Sequence, residues 1–301
     1  MAKQSAISFM QFKNHFSDED ACREHLFQLR WPNGYCCPKC GSVSHYEIST
    51  RYLFECTDCH YQSSLTAGTV MEKTHLPLEK WFWGIYFFST DKRGCSATQL
   101  SKELSITYKS AWYMLHRIRK AMKDRDSEYM LKGLIQLDDS LFGAPTRDGK
   151  RGRGTEKAKV IVGLSISQKG HPDYLKMEVV NNLKGQTIVD FAHNHISEGS
   201  TISSDAYRSY CKLQDENYTH EAKGFNPKDD SEHLKWLHTI IGNAKALING
   251  TYHGLDDRHL QSYLDEFCYR FNRRSFSGEL FNRVLSCCLL SQRLGYTELT
   301  T

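Results

Sequence analysis

A histidine and a lysine seven residues apart, His238 and Lys245, open the chemical reading of this chain. They lie in SEHLKWLHTIIGNAKALINGTYH, residues 231–253, where Leu234, Leu237, Ile241, Ala244 and Ile248 recur at helical spacing. Seven residues make about two turns, so both side chains leave one helix face, and Asn249-Gly250 supplies a stop signal. Alone, such a face is ordinary solvated surface. It becomes chemistry if carboxylates join it, and Asp138 and Asp205 are the upstream candidates. Two carboxylates brought together hold one or two hard divalent cations. Such metals activate a water or 3′-hydroxyl and stabilise the leaving oxygen at a phosphodiester. A separate set of ligands stands earlier, in Cys37-Pro-Lys-Cys40 and Cys56-Thr-Asp-Cys59, with fifteen residues between Cys40 and Cys56. Two knuckles of this form let four thiolates meet one Zn²⁺ tetrahedrally, the spacing of a zinc ribbon. Structural zinc contributes roughly 10–16 kcal/mol of apparent binding energy to folding. Cys36 is out of register with that set, and His60 fits it only through a distorted knuckle.

The carboxylates need elements to carry them. GLIQLDDSLF, KVIVGLSI and YLKMEVV read as three successive strands, joined by the basic glycine-rich loop 143–158 and the turn 169–172. A helix over residues 186–196 follows, with Ile188, Val189, Ala192 and Ile196 on one side. The short strand TISSD then delivers Asp205, and AYRSYCKL begins another helix. The order βββαβαβα, with acids at the ends of the first and fourth strands, suits an RNase H-like α/β fold, in which those two strands are neighbours. Side chains alternate along a strand, so Asp138 and Asp139 point to opposite faces, and only one is expected to be a ligand. Periodicity leaves open which.

Upstream, Ser17-Asp18 can cap a helix over residues 18–30. Residues 78–125 read as three helices, with the aromatic-rich LEKWFWGIYFF as core and Ser96-Ala-Thr-Gln99 in capping-box form. Thr107 can cap a basic helix whose buried stripe is Ala111, Leu115, Ile118 and Met122. That leaves Lys109, Ser110, Tyr113, Arg117 and Lys120 outside. A short helix, a tight turn and a longer basic helix suggest helix-turn-helix DNA binding. The net charge of +4 is modest, but basic residues concentrate in 102–125 and 147–159, the latter including Arg151, Arg153 and Lys157. Beside a metal-type cysteine pattern, these patches point to nucleic acid. In HLQSYLDEFCYRFNRR, residues 259–274, Leu260, Tyr263, Leu264, Phe267 and Phe271 make a core stripe that leaves Arg270, Arg273 and Arg274 as surface or phosphate contacts.

Charged residues at 25% and hydrophobic residues at 40% are ordinary for a soluble globular protein, and 301 residues suffice for two or three domains. The expected division is an amino-terminal helix and zinc ribbon at 1–70, a helical DNA-binding region at 71–130, and a catalytic domain at 131–301. No apolar run reaches about 18 residues, and the start lacks a signal-peptide core. Eleven cysteines, only four of them regularly paired in sequence, argue for a reducing cytoplasm and thiolate metal ligands.

These segments together resemble the zinc-ribbon insertion-sequence transposases of the ISXO-like group over nearly the whole chain. The likeness is carried by CPKC and CTDC, PLEKWFW, SATQLSKELSITYKSAWYMLHRIR, LDDSLFG, SSDAYRSY, GTYHG at 250–254 and HLQSYLDEFCYRFNRR. The resemblance implies an RNase H-like domain that cuts and joins DNA at transposon ends with Mg²⁺ or Mn²⁺, acting on terminal repeats and target DNA as a homo-oligomer. It assigns catalysis to Asp138 within LDDSLFG and to Asp205 within SSDAYRSY. The family's third metal position varies among Glu, Asn and His, with a lysine seven residues later. Counting back from Gly250 puts His238 and Lys245 on that pair. The chain departs from a plain DDE triad, and Ala144 replaces a glycine common after Gly143. Imidazole is softer than carboxylate and less suited to Mg²⁺, so metal ligation, proton donation and phosphate orientation all stay open for His238. Two rivals follow. A non-catalytic DNA-binding regulator needs the zinc and helix-turn-helix parts but no cluster of Asp138, Asp205 and His238. A metal-dependent nuclease without strand joining needs the cluster alone.

Overall fold

A computed structural model describes residues 7–143, 156–224, 233–253 and 255–300, which fall into two compact units. The first comprises Met1–Asp124 with Phe276–Thr301, and the second Arg125–Ser275.

In the first unit, polar caps at Asp18, Ser96 and Thr107 start helices where the sequence places them, and a further cap at Ser8 starts one that it does not. Ser8 and Gln11 form a reciprocal capping box on α1 (Phe9–His15), and the Asp18 carboxylate accepts from Ala21 N at the head of α2 (Glu19–Arg30). Three short strands, β1 (His45–Ile48), β2 (Leu53–Cys56) and β3 (Gln62–Ser64), form an antiparallel ribbon in that order. Helices α3 (Leu78–Thr90), α4 (Ala97–Glu103) and α5 (Tyr108–Ser127) follow. Ser96 caps α4, and the Thr107 hydroxyl accepts from Ser110 N at the start of α5. Between them Ser105 takes a left-handed conformation, φ 51°, which turns the chain sharply.

The expected boundary near residue 70 does not separate two bodies. Phe12 packs on Trp83 and Tyr86 of α3, and Phe16 on Phe82, so the aromatic core is continuous across it. The carboxyl-terminal helix α9 (Leu280–Leu290) belongs to the same core through Phe281, whose ring meets Phe12 and Phe16. A short α10 (Tyr296–Thr300) ends the described chain. The sheet-bearing unit therefore closes at Ser275, whereas the sequence reading extends it to 301.

The second unit is built on a five-stranded sheet. Its strands are β4 (Leu134–Phe142), β5 (Ala158–Ile166), β6 (Pro172–Val180), β7 (Thr201–Asp205) and β8 (Thr219–Lys223), in spatial order β6-β5-β4-β7-β8. The first three pair antiparallel, while β4–β7 and β7–β8 pair parallel. With α6 (Gly185–His195) crossing between β6 and β7, this is the RNase H-like arrangement, and its first and fourth strands are indeed neighbours.

Alternation assigns the faces. Ile135, Leu137 and Ile161 join Ile188, Phe191 and Ala192 of α6 in one core. Phe142, Val160 and Val162 join the other, against α7 (Lys235–Thr251) and α8 (Leu260–Asn272). Gly163 permits the close approach of α6, since a Cβ there would lie 3.2 Å from the Phe191 ring. AYRSYCKL, expected as a helix, forms a 3-10 stretch over Arg208–Asp215. Its buried pair, Tyr210 and Leu213, is three residues apart, a spacing that three residues per turn keeps on one side. The β6 edge is covered by α8 through two side-chain amides. Gln261 accepts from Val179 N at 2.7 Å and donates to Met177 O at 3.0 Å. Asn272 accepts from Leu175 N at 2.7 Å and donates to Leu175 O at 3.1 Å.

Candidate active site

The sheet register decides between the two aspartates of LDDSLFG. Asp138 lies opposite Val162, a residue of the α7 and α8 core, and Asp139 opposite Ile161, of the α6 core. Asp138 therefore faces α7, while Asp139 turns to the other side, where the Tyr210 hydroxyl donates to its Oδ1 at 3.4 Å. The last parallel pair of β4 and β7 is Leu137 with Ser204, so Asp138 and Asp205 stand side by side. Asp205 ends β7 as expected, but β4 runs four residues on to Phe142, so Asp138 lies within its strand and not at the expected end.

Helix α7 brings the third group. Leu237, Ile240, Ile241, Ala244 and Ile248 bury its inner stripe against the sheet, beneath the αL-capped start at Leu234. His238 is placed beside Asp138, with Nε2 3.2 Å from Asp138 Oδ2. Its side chain is 53% exposed against 14% for Asp138, so the pair opens toward solvent on the imidazole side. Lys245, two turns on, lies with Nζ 5.4 Å from the centre of the Phe142 ring. Asn243 is exposed.

The charges are not balanced. Burial pushes the Asp138 carboxyl up, and Asp139 and Asp205 push it further, against the lowering effects of the Asp139 backbone N–H and of His238. Burial lowers the Lys245 ammonium, and the Lys157 charge adds to that, with Asp138 opposing. A carboxylate crowded by burial and two like charges is the electrostatic setting that a divalent cation relieves. Two carboxylates and an imidazole on one side of the sheet fit such an ion as donors. They stand open. Among the described residues, only four cysteines draw three or more ligand atoms within 4.8 Å of one another.

Several supporting residues carried no sequence signal. The Asp205 carboxylate accepts from Tyr207 N at 3.0 Å, which fixes the chain just past β7. The fully buried Ser204 donates to Asp205 O at 2.9 Å, with His220 Nε2 2.8 Å from its hydroxyl, while His233 Nε2 lies 3.3 Å from Ser204 O. Thr219–Lys223, which carries His220, shows no apolar alternation to flag it as a strand. The pairing of His220 with a serine is tertiary.

Those four cysteines are Cys37, Cys40, Cys56 and Cys59, the expected zinc ligands. Each knuckle closes through one N–H to a cysteine carbonyl, Gly41 to Cys37 O and His60 to Cys56 O, with Gly41 at φ 77° and His60 at φ 53°. His60 thus occupies the place of the first knuckle's glycine, and its ring reaches Glu55 instead. Burial raises the Cys37 thiol, but N–H donors from Cys40 and Lys39 and the Cys40 and Cys59 thiols outweigh it, bringing it down to about 6. Four cysteine sulfurs gathered within 4.8 Å of one another fit structural Zn²⁺. Cys36 is exposed, its thiol 3.7 Å from Gly41 O.

The expected DNA-contacting residues divide. Arg117 is not on the outer face. It is 2% exposed, donates to Glu72 O at 3.1 Å and stacks over the Tyr113 ring. Tyr113 donates to Leu294 O, and Lys120 is held by Asp124 and Ser291, so the carboxyl-terminal segment occupies the face taken as free. Lys109 is exposed, over Tyr296. Arg273 corrects likewise, because it pairs with buried Asp126 and stacks on Tyr269. The Arg274 guanidinium donates to the carbonyls of Pro172, Asp173 and Phe271. Lys157 is half-buried beside Gly143. Arg151 and Arg153 lie outside the described residues.

Comparison with known proteins gives two family matches, a transposase zinc-ribbon domain over residues 17–62 and an ISXO2-like transposase domain over residues 130–272. An uncharacterized protein in the transposable element ISH50 of Halobacterium salinarum is 26% identical over 224 residues, 68% of this chain and 74% of its own. Two solved structures are similar at low scores. A simian T-cell lymphotropic virus intasome in complex with PP2A regulatory subunit B56 gamma has 12% identity and a TM-score of 0.30. It covers 56% of this chain, and the chain spans 63% of that one. The Mos1 transposase paired-end complex with left transposon end has 11% identity, a TM-score of 0.22, and coverage of 74% of this chain and 83% of that one. The fold assignment rests on the strand order and register. Among the described residues, no helix is long and apolar enough to cross a membrane.

Proposed function

We propose that this chain, which matches a transposase zinc-ribbon domain and an ISXO2-like transposase domain, is a cytoplasmic enzyme that binds its element's DNA ends, cleaves phosphodiesters there and transfers the strand. The observation that carries this reading is the meeting of Asp138 with His238 at 3.2 Å, beside Asp205 on the adjacent parallel strand. A regulator that only bound DNA would have no need of that convergence.

Asp138 and Asp205 are the groups that would hold the divalent cation, with His238 completing the set as an imidazole ligand or as a proton carrier to the reacting phosphate. When bound, Mg²⁺ or Mn²⁺ supplies Lewis-acid polarisation of the phosphodiester. Asp139 stays outside the set, tied to Tyr210 on the opposite face. Ser204 and His220 hold the strand end that carries Asp205. Lys245 is a phosphate contact. The helical hairpin of α4 and α5 docks DNA, with Lys109 among its exposed cations, and active copies assemble as homo-oligomers on the DNA ends.

The test incubates the purified protein with duplexes of its own element's ends and Mg²⁺ or Mn²⁺, following cleavage and strand transfer. His238→Ala is expected to lose cleavage and keep DNA binding, while Asn243→Ala cuts normally. Softness of the imidazole favours Mn²⁺ at least equally with Mg²⁺. Normal cutting by His238→Ala with a dead Asn243→Ala would falsify the His238 assignment. Cleavage without joining would point to a plain nuclease.

A further inference from the structure

A glycine inside a helix destabilises it relative to alanine, because more chain entropy is lost and no side chain packs. Among the described residues, Gly84 in α3 and Gly242 in α7 stand well inside their helices. Gly84 has a packing reason. A Cβ there would lie 2.6 Å from Met114 Sδ, so α3 and α5 need a bare backbone to approach. Gly242 has none. A Cβ built on it would meet nothing within 4 Å outside its own stretch of helix backbone, and the residue is exposed. Nor does a left-handed turn call for it, since its φ is not positive. The free protein alone would favour alanine at 242.

Its place on α7 supplies the reason that packing does not. Gly242 comes four residues after His238, about 6 Å along the helix and about 40° around it. Lys245 follows three residues later, about 4.5 Å further on. Gly242 is therefore the bare part of α7 beside the imidazole, on the flank where His238 opens to solvent. A ligand seated at Asp138 and His238 can come closer to the helix backbone there, by about one methyl group, than alanine would allow.

We propose that the DNA strand held at Asp138 and His238 lies directly against α7 at Gly242, with a deoxyribose of its backbone in van der Waals contact with the helix. This rests on the transposase reading and adds to it a contact that sets how deeply the strand seats. The contact carries no charge and acts by shape. A side chain at 242 would hold the scissile phosphate away from the carboxylates, and a misplacement of about 1 Å lowers a rate on the order of 10²-fold.

The experiment compares wild type with Gly242→Ala and Gly242→Leu, because alanine and leucine are both strong helix formers of different bulk. Without DNA, the thermal midpoint should rise by about 2 °C in Gly242→Ala and should not fall below wild type in Gly242→Leu. Cleavage of a duplex of the element's own end should drop on the order of 10²-fold in Gly242→Ala and further in Gly242→Leu. A loss caused only by stiffening the helix would be equal in the two variants. Duplexes with one strand shortened nucleotide by nucleotide, bound without divalent cation, locate the contact. The affinity deficit of Gly242→Leu should vanish once the nucleotide over residue 242 is gone. Normal cleavage by Gly242→Leu, equal losses in both variants, a lowered thermal midpoint, or a deficit that survives every shortening overturns the contact. If wild type neither binds nor cuts its own ends, the transposase reading fails instead.

Discussion

The four-cysteine ribbon and the carboxylate site of the sheet follow opposite construction rules. The ribbon gathers its ligands from two four-residue knuckles, and their sulfurs already stand close, with Cys37 and Cys59 at 3.7 Å and Cys40 and Cys56 at 3.5 Å. The carboxylate centre draws its groups from three elements spread over a hundred residues of sequence, and leaves them open. The difference matches the two tasks. A closed set of four ligands saturates an ion and holds a fold, while an open set leaves coordination positions for a substrate.

The contrast is sharpest where the metal is removed. Chelation, or Cys56→Ser, is expected to unfold the ribbon, because structural zinc of this kind carries about 10–16 kcal/mol of apparent binding energy. Zinc content and amide exchange over residues 35–64 read the effect, and Cys36→Ser should retain the metal in full. Undiminished zinc in Cys56→Ser would break the comparison at its first term. At the open centre the loss should be kinetic. Asp205→Asn is expected to reduce cleavage on the order of 10³-fold, while thermal unfolding and DNA affinity stay near wild type.

Smaller effects test how the surroundings are built. Arg117→Ala should cost about 1–3 kcal/mol in denaturant unfolding, because it empties the space of a buried guanidinium and removes its hydrogen bond to the Glu72 carbonyl. A folded variant with only weaker DNA binding would restore Arg117 to the outer face. Asp205→Asn in divalent-free buffer should raise stability by less than about 1 kcal/mol. It removes one of the negative charges that, after burial, disfavour ionised Asp138. A stability loss there would mean that Asp205 is structural. Smallest of all, Lys120→Ala should leave the salt slope of DNA binding unaltered, since Asp124 and Ser291 already engage the ammonium.

Legibility in the sequence followed the range of the interactions. The cysteine knuckles, the caps at Asp18, Ser96 and Thr107 and the strand carrying LDDS are local, and periodicity or spacing finds them. The proximity of Asp138 to Asp205 followed from strand order once the topology was read. The choice between Asp138 and Asp139 did not, because alternation separates two faces without saying which one α7 covers. The basic face of α5 was misread for a related reason. Arg117 and Lys120 satisfy the pattern of an outer face, and only the return of the chain through α9 and residues 291–296 covers it. Arg273 was misread in the same way, since its partner Asp126 lies far away in sequence.

The amides of Gln261 and Asn272 have a consequence for assembly. A sheet whose strands run β6-β5-β4-β7-β8 ends in two edges, and an exposed edge is a template on which another chain can polymerise. Along β6 the backbone groups of Leu175, Met177 and Val179 are already engaged by α8, eleven residues of one helix spanning the interval between the two amides. Cross-strand recruitment of a neighbouring molecule is thereby blocked on that side. Copies gathered at high local concentration on DNA are protected there from strand-by-strand aggregation, and any ordered contact between them has to be made elsewhere on the surface.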